Sequence, residues 1–115
     1  MARQLVTHAL AVWGLESLGD DAALVVSELV ANAAHHGRGD AIRVVITRLG
    51  EHRVDVGVVD TSHVEPALRE AGLDEEAGRG LAIVDALSER WGWDPTPRGK
   101  RVWAELSASD EPPDG

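Results

Sequence analysis

The stretch LVVSELVANAAHHG at residues 24–37 is the strongest helix signal in the chain. Its leucines and valines recur at helical spacing, and Gly37 is a natural end for a helix. Asp20 or Asp21 is placed to cap the amino terminus of this helix. We therefore expect a long amphipathic helix here, and the remaining elements are placed relative to it.

Glu28 and Asn32 stand one turn apart on this helix and project from the same face. A carboxylate and an amide in this arrangement can hold a cation and a polarised water against a phosphate chain. The same pair also fits the solvent-facing stripe of an ordinary amphipathic helix, so both interpretations stay open at this point. His35 and His36 near the helix end are expected to serve the helix dipole and to bind no metal.

The segments on either side of this helix have clear periods of their own. Helical spacing predicts a first helix over residues 3–13, with breaks at Gly14 and Gly19. After the long helix the period changes to two, which predicts strands over residues 41–47 and 54–60. These two strands are expected to form a hairpin.

The second half of the chain contains another helix and another strand pair. Residues 61–78 have few apolar side chains and predict a mobile loop, and a helix is expected to start near Arg79. Strands follow at residues 90–94 and 100–106, with a turn at 95–99. The order α, α, β, β, loop, α, β, β predicts an α+β fold, a two-layer α/β sandwich with helices on one face of a mostly antiparallel sheet.

The other face of this sheet is expected to be open. It would carry Arg43, Arg101 or one of the tryptophans, and a second subunit would bind there. The tryptophans themselves are expected to pack in the core and on the sheet, not to stack on bases. We expect one domain over residues 1–108, followed by an acidic, frayed tail over 109–115.

Composition excludes several classes of function. The formal net charge of -9 repels a phosphate backbone, which argues against direct binding of nucleic acid and favours a basic protein partner. The absence of cysteine removes disulfides, thiolate nucleophiles and Cys-ligated zinc. The chain has no apolar run near 18 residues and no signal segment, so we expect no membrane association and a cytoplasmic location.

Two further features have both an ordinary and a functional interpretation. Asp60 closes the alternation of Val54, Val56 and Val58, so its carboxylate lies on the core face of the sheet and either caps the next turn or accepts from a ligand amine. The glycines of the Gly78–Gly80 segment either make a flexible loop or leave backbone N–H groups open to an anion before a helix. These glycines follow Glu28, Asn32 and Asp60 in the chain, and together the four features suggest a nucleotide site.

Four segments appear in one order along residues 3–107: ELVANAAHHG, VGVVDTS, GRGLAIVDALSERWG and GKRVWAEL. In this order they resemble the ATP-binding domain of the GHKL superfamily, which includes gyrase and histidine kinases and has the Bergerat fold. The closest likeness is to the RsbW-type anti-sigma-factor serine/threonine kinases. Each segment alone is weak, but the ordered set is specific.

The resemblance implies a role for each matching residue. Glu28 matches the general base of the N box, and Asn32 matches its Mg²⁺ ligand. Asp60 matches the aspartate that accepts from the adenine amino group. The segment that lines the phosphates and hinges the lid matches Gly78, Arg79, Gly80 and Leu81.

The resemblance also implies a function and partners. Family members bind ATP and Mg²⁺, phosphorylate a serine on an anti-anti-sigma (STAS-type) protein, hold a sigma factor inactive and typically form homodimers. This chain departs from the family after Asp60, where Thr61–Val64 lacks glycines, and at Arg101, where related sequences place a threonine beside the adenine aspartate. The strand that usually precedes the first helix is missing or cut off, so the sheet would be either short or completed by another chain. The alternative function is a non-catalytic module that sequesters a sigma factor or another protein with little or no nucleotide binding.

Overall fold

The computed structural model describes residues 2–36, 42–61 and 75–108, without the side chains of 35–36 and 75–79. Two helices come first, and two strand pairs flank the third helix. The elements are α1 (Ala2–Val12), a 3₁₀ turn (Glu16–Leu18), α2 (Gly19–His36), β1 (Arg43–Arg48), β2 (Arg53–Asp60), α3 (Glu75–Leu87), β3 (Arg90–Thr96) and β4 (Gly99–Ser107). None of the helices described is long and apolar enough to cross a membrane.

The first two helices follow the sequence prediction except at the start of α2. Gly14, which ends α1, has a φ of 73°, a left-handed conformation that glycine adopts without strain. The prediction that Asp20 or Asp21 caps α2 is wrong, because the 3₁₀ turn runs directly into a helix that begins at Gly19. Both aspartates lie in the first turn, where the helix dipole still favours negative charge.

The four strands form one antiparallel sheet in the order β1-β2-β4-β3. The two predicted hairpins are confirmed: β1 pairs with β2, and β3 pairs with β4. In addition β2 pairs with β4, with Val58 opposite Val102, which joins the hairpins into one sheet. The predicted α+β architecture is therefore confirmed over the described residues.

The core lies between α2 and one face of this sheet. On β2 and β4 every second side chain points into this core, and α2 contributes an apolar stripe that packs on them. The buried residues are Val54, Val56, Val58, Val102, Ala104, Leu106, Val25, Val26, Leu29 and Ala33. Because full burial of a valine or leucine contributes about 1.5–3 kcal/mol, a slip of one residue in register would be very costly.

The opposite face of the sheet is uncovered within the described chain and carries charged side chains, as predicted for Arg43 and Arg101. Glu105 accepts hydrogen bonds from Arg53 at 2.7 Å and from Arg90 at 3.1 Å. The Arg90 guanidinium lies 5.5 Å from the ring centre of Trp103, a cation–π contact. The predicted binding of a second subunit to this face stays a prediction.

The remaining tryptophans are partly buried against the core, as predicted. They are Trp13, Trp91 and Trp93. Trp91 also donates a hydrogen bond of 3.0 Å to Asp85, which links β3 to α3. Trp91 stands four residues after Leu87, a helical spacing, but it lies in β3 and contacts α3 without being part of that helix.

The start of α3 differs from the prediction. A helix was expected near Arg79 after a loop over 61–78, but α3 begins at Glu75 and includes Gly78 and Gly80. A glycine inside a helix costs about 1 kcal/mol, and here tertiary packing at Gly80 offsets that cost. Residues 62–74 of the predicted loop lie outside the described residues, as do Gly37, the expected start of β1 at 41 and the expected tail at 109–115.

Candidate nucleotide site

The surroundings of Asn32 on α2 do not fit the solvent-facing stripe of an ordinary amphipathic helix. Its side chain is 5% exposed, so it is not part of a solvent-facing stripe. Its Oδ1 atom accepts no hydrogen bond from the described residues. A buried amide oxygen without a donor costs free energy, and a cation, a water or a ligand donor relieves that cost. The chemistry of this oxygen therefore fits a Mg²⁺ ligand.

Glu28 lies one turn before Asn32 and is half-buried where α2 meets α3. A Cβ atom placed on Gly80 would lie 2.8 Å from Oε1 of Glu28, closer than real Cβ contacts. Gly80 therefore lets the backbone of α3 approach the carboxylate directly. This contact joins two predicted site residues from distant parts of the chain, but it gives Gly80 a different role from the expected phosphate loop.

The other predicted phosphate-binding residues fall along the first turns of α3. The N–H groups at the start of a helix have no intrahelical acceptor, and in α3 they extend to residue 77, one position before Gly78. Gly80 lies beyond them. Leu81 is buried in the hydrophobic core, so its side chain packs there and does not face a ligand. The side chain of Arg79 lies outside the described part of the structure.

Asp60 ends β2 on the core side of the sheet, as its alternation predicted, and pairs there with Lys100 of β4. Oδ1 of Asp60 accepts a hydrogen bond of 3.1 Å from Nζ of Lys100. The two side chains are 2% and 0% exposed. A buried pair of this kind is held firmly, because removing one partner leaves a charge in a medium of low dielectric constant.

Arg101 does not lie beside Asp60, so the placement that the resemblance implied for it is wrong. Successive strand residues point to opposite faces, and β4 directs Val102 into the core, so Lys100 points inward and Arg101 outward. Arg101 donates instead to Asp55 on the open face. Burial raises the pKa of Asp55 above its usual value, and the charge of Arg101 offsets only part of this effect.

Lys100 and Gly99 are two residues of the site that were not predicted from the sequence. A Cβ atom at Gly99 would overlap the backbone of Asp60 and Thr61, so β4 comes against the end of β2 only because residue 99 has no side chain. A signal for both missed residues was present: extending the alternation of Val102 and Leu106 back along β4 places Lys100 on the core face, next to a glycine.

The described part of the site thus offers three kinds of group. Asn32 provides an amide oxygen, Glu28 provides a carboxylate beside Gly80, and Asp60 with Lys100 provides an acceptor next to a donor. Together these suit a metal–phosphate group and the polar edge of a base.

The family of the chain agrees with this geometry. A model of the histidine kinase-like ATPase domain matches residues 1–106, and the chain belongs to this family. The resemblance to the GHKL superfamily is therefore confirmed, whereas the RsbW-type specialisation stays a prediction. Domains of this family bind ATP, usually with Mg²⁺.

One relative is an uncharacterized protein of Streptomyces coelicolor. It is 38% identical to this chain over 81 residues, which cover 69% of the chain and 75% of that protein.

Proposed function

We propose that this chain is a serine/threonine protein kinase of the anti-sigma-factor type that works in the cytoplasm. It would transfer the γ-phosphoryl group of ATP to a serine of an anti-anti-sigma (STAS-type) protein and regulate transcription by partner switching. The observation that carries the proposal is the buried, unbonded amide oxygen of Asn32, one turn from the carboxylate of Glu28. The choice of ATP as the nucleotide rests on the family, whose domains bind ATP.

Binding would use groups from three elements. Asn32 on α2 would hold Mg²⁺, which when bound neutralises charge on the phosphate oxygens. Asp60 at the end of β2 would accept a hydrogen bond from the 6-amino group of adenine. The free N–H groups at the start of α3, up to that of residue 77, would face the phosphates, where the helix dipole favours negative charge.

The transfer step would depend on Glu28. As the serine hydroxyl oxygen bonds to the γ-phosphorus, Glu28 accepts the hydroxyl proton, and the bond from phosphorus to the β–γ bridging oxygen breaks with its electron pair going to ADP. The contact with Gly80 limits where the carboxylate of Glu28 can lie, so it positions the base.

Calorimetric titration of the purified chain with ATP and Mg²⁺ tests the binding part. Asn32→Ala is expected to weaken Mg²⁺-dependent binding at least tenfold, since one charge-assisted contact is lost. Ser27→Ala is the matched control, because Ser27 lies on the same helix but on a different face from Asn32. This variant should bind ATP as the wild type does. Equal affinity in both variants would contradict the assignment of Asn32.

Labelled ATP and a panel of STAS-type proteins test the kinase part. Glu28→Ala is expected to abolish transfer to a serine while ATP remains bound, because the carboxylate acts in the transfer step. Glu28→Gln keeps the size and polarity of the side chain and is expected to fail in the same way. Transfer at the wild-type rate in either variant would exclude Glu28 as the base.

A second function is favoured by one observation, the buried ion pair between Asp60 and Lys100. If Lys100 takes the place of the adenine amino group, the chain is a non-catalytic module that sequesters a sigma factor or another protein, as a monomer or a homodimer. Its charge of -9 would then steer a basic partner, and the association rate should fall steeply with added salt. Undetectable ATP binding by folded protein, with salt-dependent partner binding, would select this function.

A further inference from the structure

We propose that Lys100 is a base-reading residue of the nucleotide site, which donates a hydrogen bond to a purine ring nitrogen while it stays paired with Asp60. This inference rests on the proposed binding of ATP and adds a residue to it. It explains why a fully buried ammonium group lies at the end of the sheet.

Lys100 has more hydrogen-bond donors than the described residues satisfy. An ammonium group carries three N–H donors. Within residues 2–36, 42–61 and 75–108, Oδ1 of Asp60 is the acceptor that lies within hydrogen-bond distance of Nζ. A buried ammonium group with two donors still to satisfy has a strong preference for a nearby acceptor.

The pair of Asp60 and Lys100 lies at the edge of the core. The register places Asp60 opposite Lys100 at the last pair of residues between β2 and β4. Thr61, the next residue after Asp60, is exposed to solvent. A ligand at the end of β2 would therefore lie next to both side chains.

The hydrogen-bonding groups of this pair are complementary to those of adenine. A carboxylate beside an ammonium group presents an acceptor next to a donor. Adenine presents the opposite pattern, since its 6-amino group donates and the neighbouring ring nitrogens N1 and N7 accept. A carboxylate has lone pairs for several donors, so the bond from Lys100 and one from the amino group can coexist on Asp60.

Analogues of ATP that lack one ring nitrogen test this inference without any mutation. Wild-type protein is expected to bind either 1-deaza-ATP or 7-deaza-ATP about tenfold to a hundredfold more weakly than ATP, the size of one charge-assisted hydrogen bond. The analogue that loses affinity identifies the nitrogen. If both analogues bind within twofold of ATP, Lys100 does not read the base, although ATP binding itself stands.

Variants then assign the loss to Lys100. In Lys100→Met the aliphatic stem is kept, and the difference between ATP and the sensitive analogue should disappear. The double variant Asp60→Asn with Lys100→Met removes both charges and serves if the single variant does not fold, as judged by urea denaturation. A purely structural role for Lys100 would weaken ATP and its analogue equally and leave their ratio unchanged, which would overturn the inference.

The outcomes separate this inference from the proposed function. Binding of ATP that depends on Asn32, with no sensitivity to ring nitrogens, rejects the role of Lys100 alone. No binding of ATP to folded wild-type protein rejects both.

Discussion

Replacing Gly80 by alanine should reduce catalysis while leaving the fold intact. The added Cβ atom would lie 2.8 Å from Oε1 of Glu28, and ordinary contacts begin at 3.4 Å, so the carboxylate has to move away by at least the difference. The clashing atom is the end of a flexible side chain, so the move itself costs little. In a helix interior, alanine is also more favourable than glycine by roughly 0.5–1 kcal/mol.

The effect on the proposed reaction should be larger than the effect on stability. A displacement of about 1 Å in a catalytic group can reduce the rate by around 100-fold, so we expect a loss between roughly tenfold and 100-fold in the turnover number. The affinity for ATP should stay within a few-fold of wild type, because Asn32 and Asp60 do not contact the new methyl group. The assay is the initial rate of ADP formation at saturating ATP and Mg²⁺ with a STAS-type protein that the wild type phosphorylates. Calorimetry measures the affinity, and urea denaturation measures stability.

Gly19→Ala is the matched control, because a Cβ atom there meets nothing within 4 Å. It lies at the start of α2 in a right-handed helical conformation, so alanine fits without strain. A wild-type turnover number in Gly80→Ala, or a free energy of unfolding that falls by several kcal/mol, would refute the view that Gly80 positions Glu28.

Three further predictions concern stability. Gly99→Ala is expected to lower the free energy of unfolding by roughly 1–3 kcal/mol or more, because the added Cβ atom would overlap the backbone of Asp60 and Thr61. Gly50→Ala, where a Cβ atom meets nothing within 4 Å, is the control. Equal urea midpoints for the two variants would contradict this prediction. The hydrogen bond from Arg90 holds the pKa of Glu105 below its usual value. Glu105→Gln should therefore lower the free energy of unfolding by about 0.5–1 kcal/mol at pH 7, and this difference should vanish as the pH falls through the lowered pKa. A difference that persists in acid would contradict this prediction. Burial raises the pKa of Asp55 above its usual value of 3.8, so its effect on stability has the opposite pH dependence. The free energy of unfolding of the wild type should fall relative to that of Asp55→Asn as the pH rises from below 3.8 to 7. A difference between the two proteins that stays constant over this range would contradict the prediction.

Local patterns were enough to determine most of the fold. The period of α2, the alternation of β1 and β2 and the turn before β4 depend on neighbouring residues, and the structure confirms all of them within a few positions. Burial follows from the same alternation, since every second residue of a strand faces the core. The position of Asp60 on the core face was predictable for this reason.

Contacts between distant segments were decided only by the tertiary structure. The helix α3 starts earlier than its local sequence suggests. Its approach to Glu28 requires a residue without a side chain at position 80, and that contact joins segments about fifty residues apart. Likewise, the residue opposite Asp60 depends on the register between β2 and β4, which places Lys100 there. Register is set by packing across the whole sheet, so a single strand does not reveal which residue of another strand lies beside it.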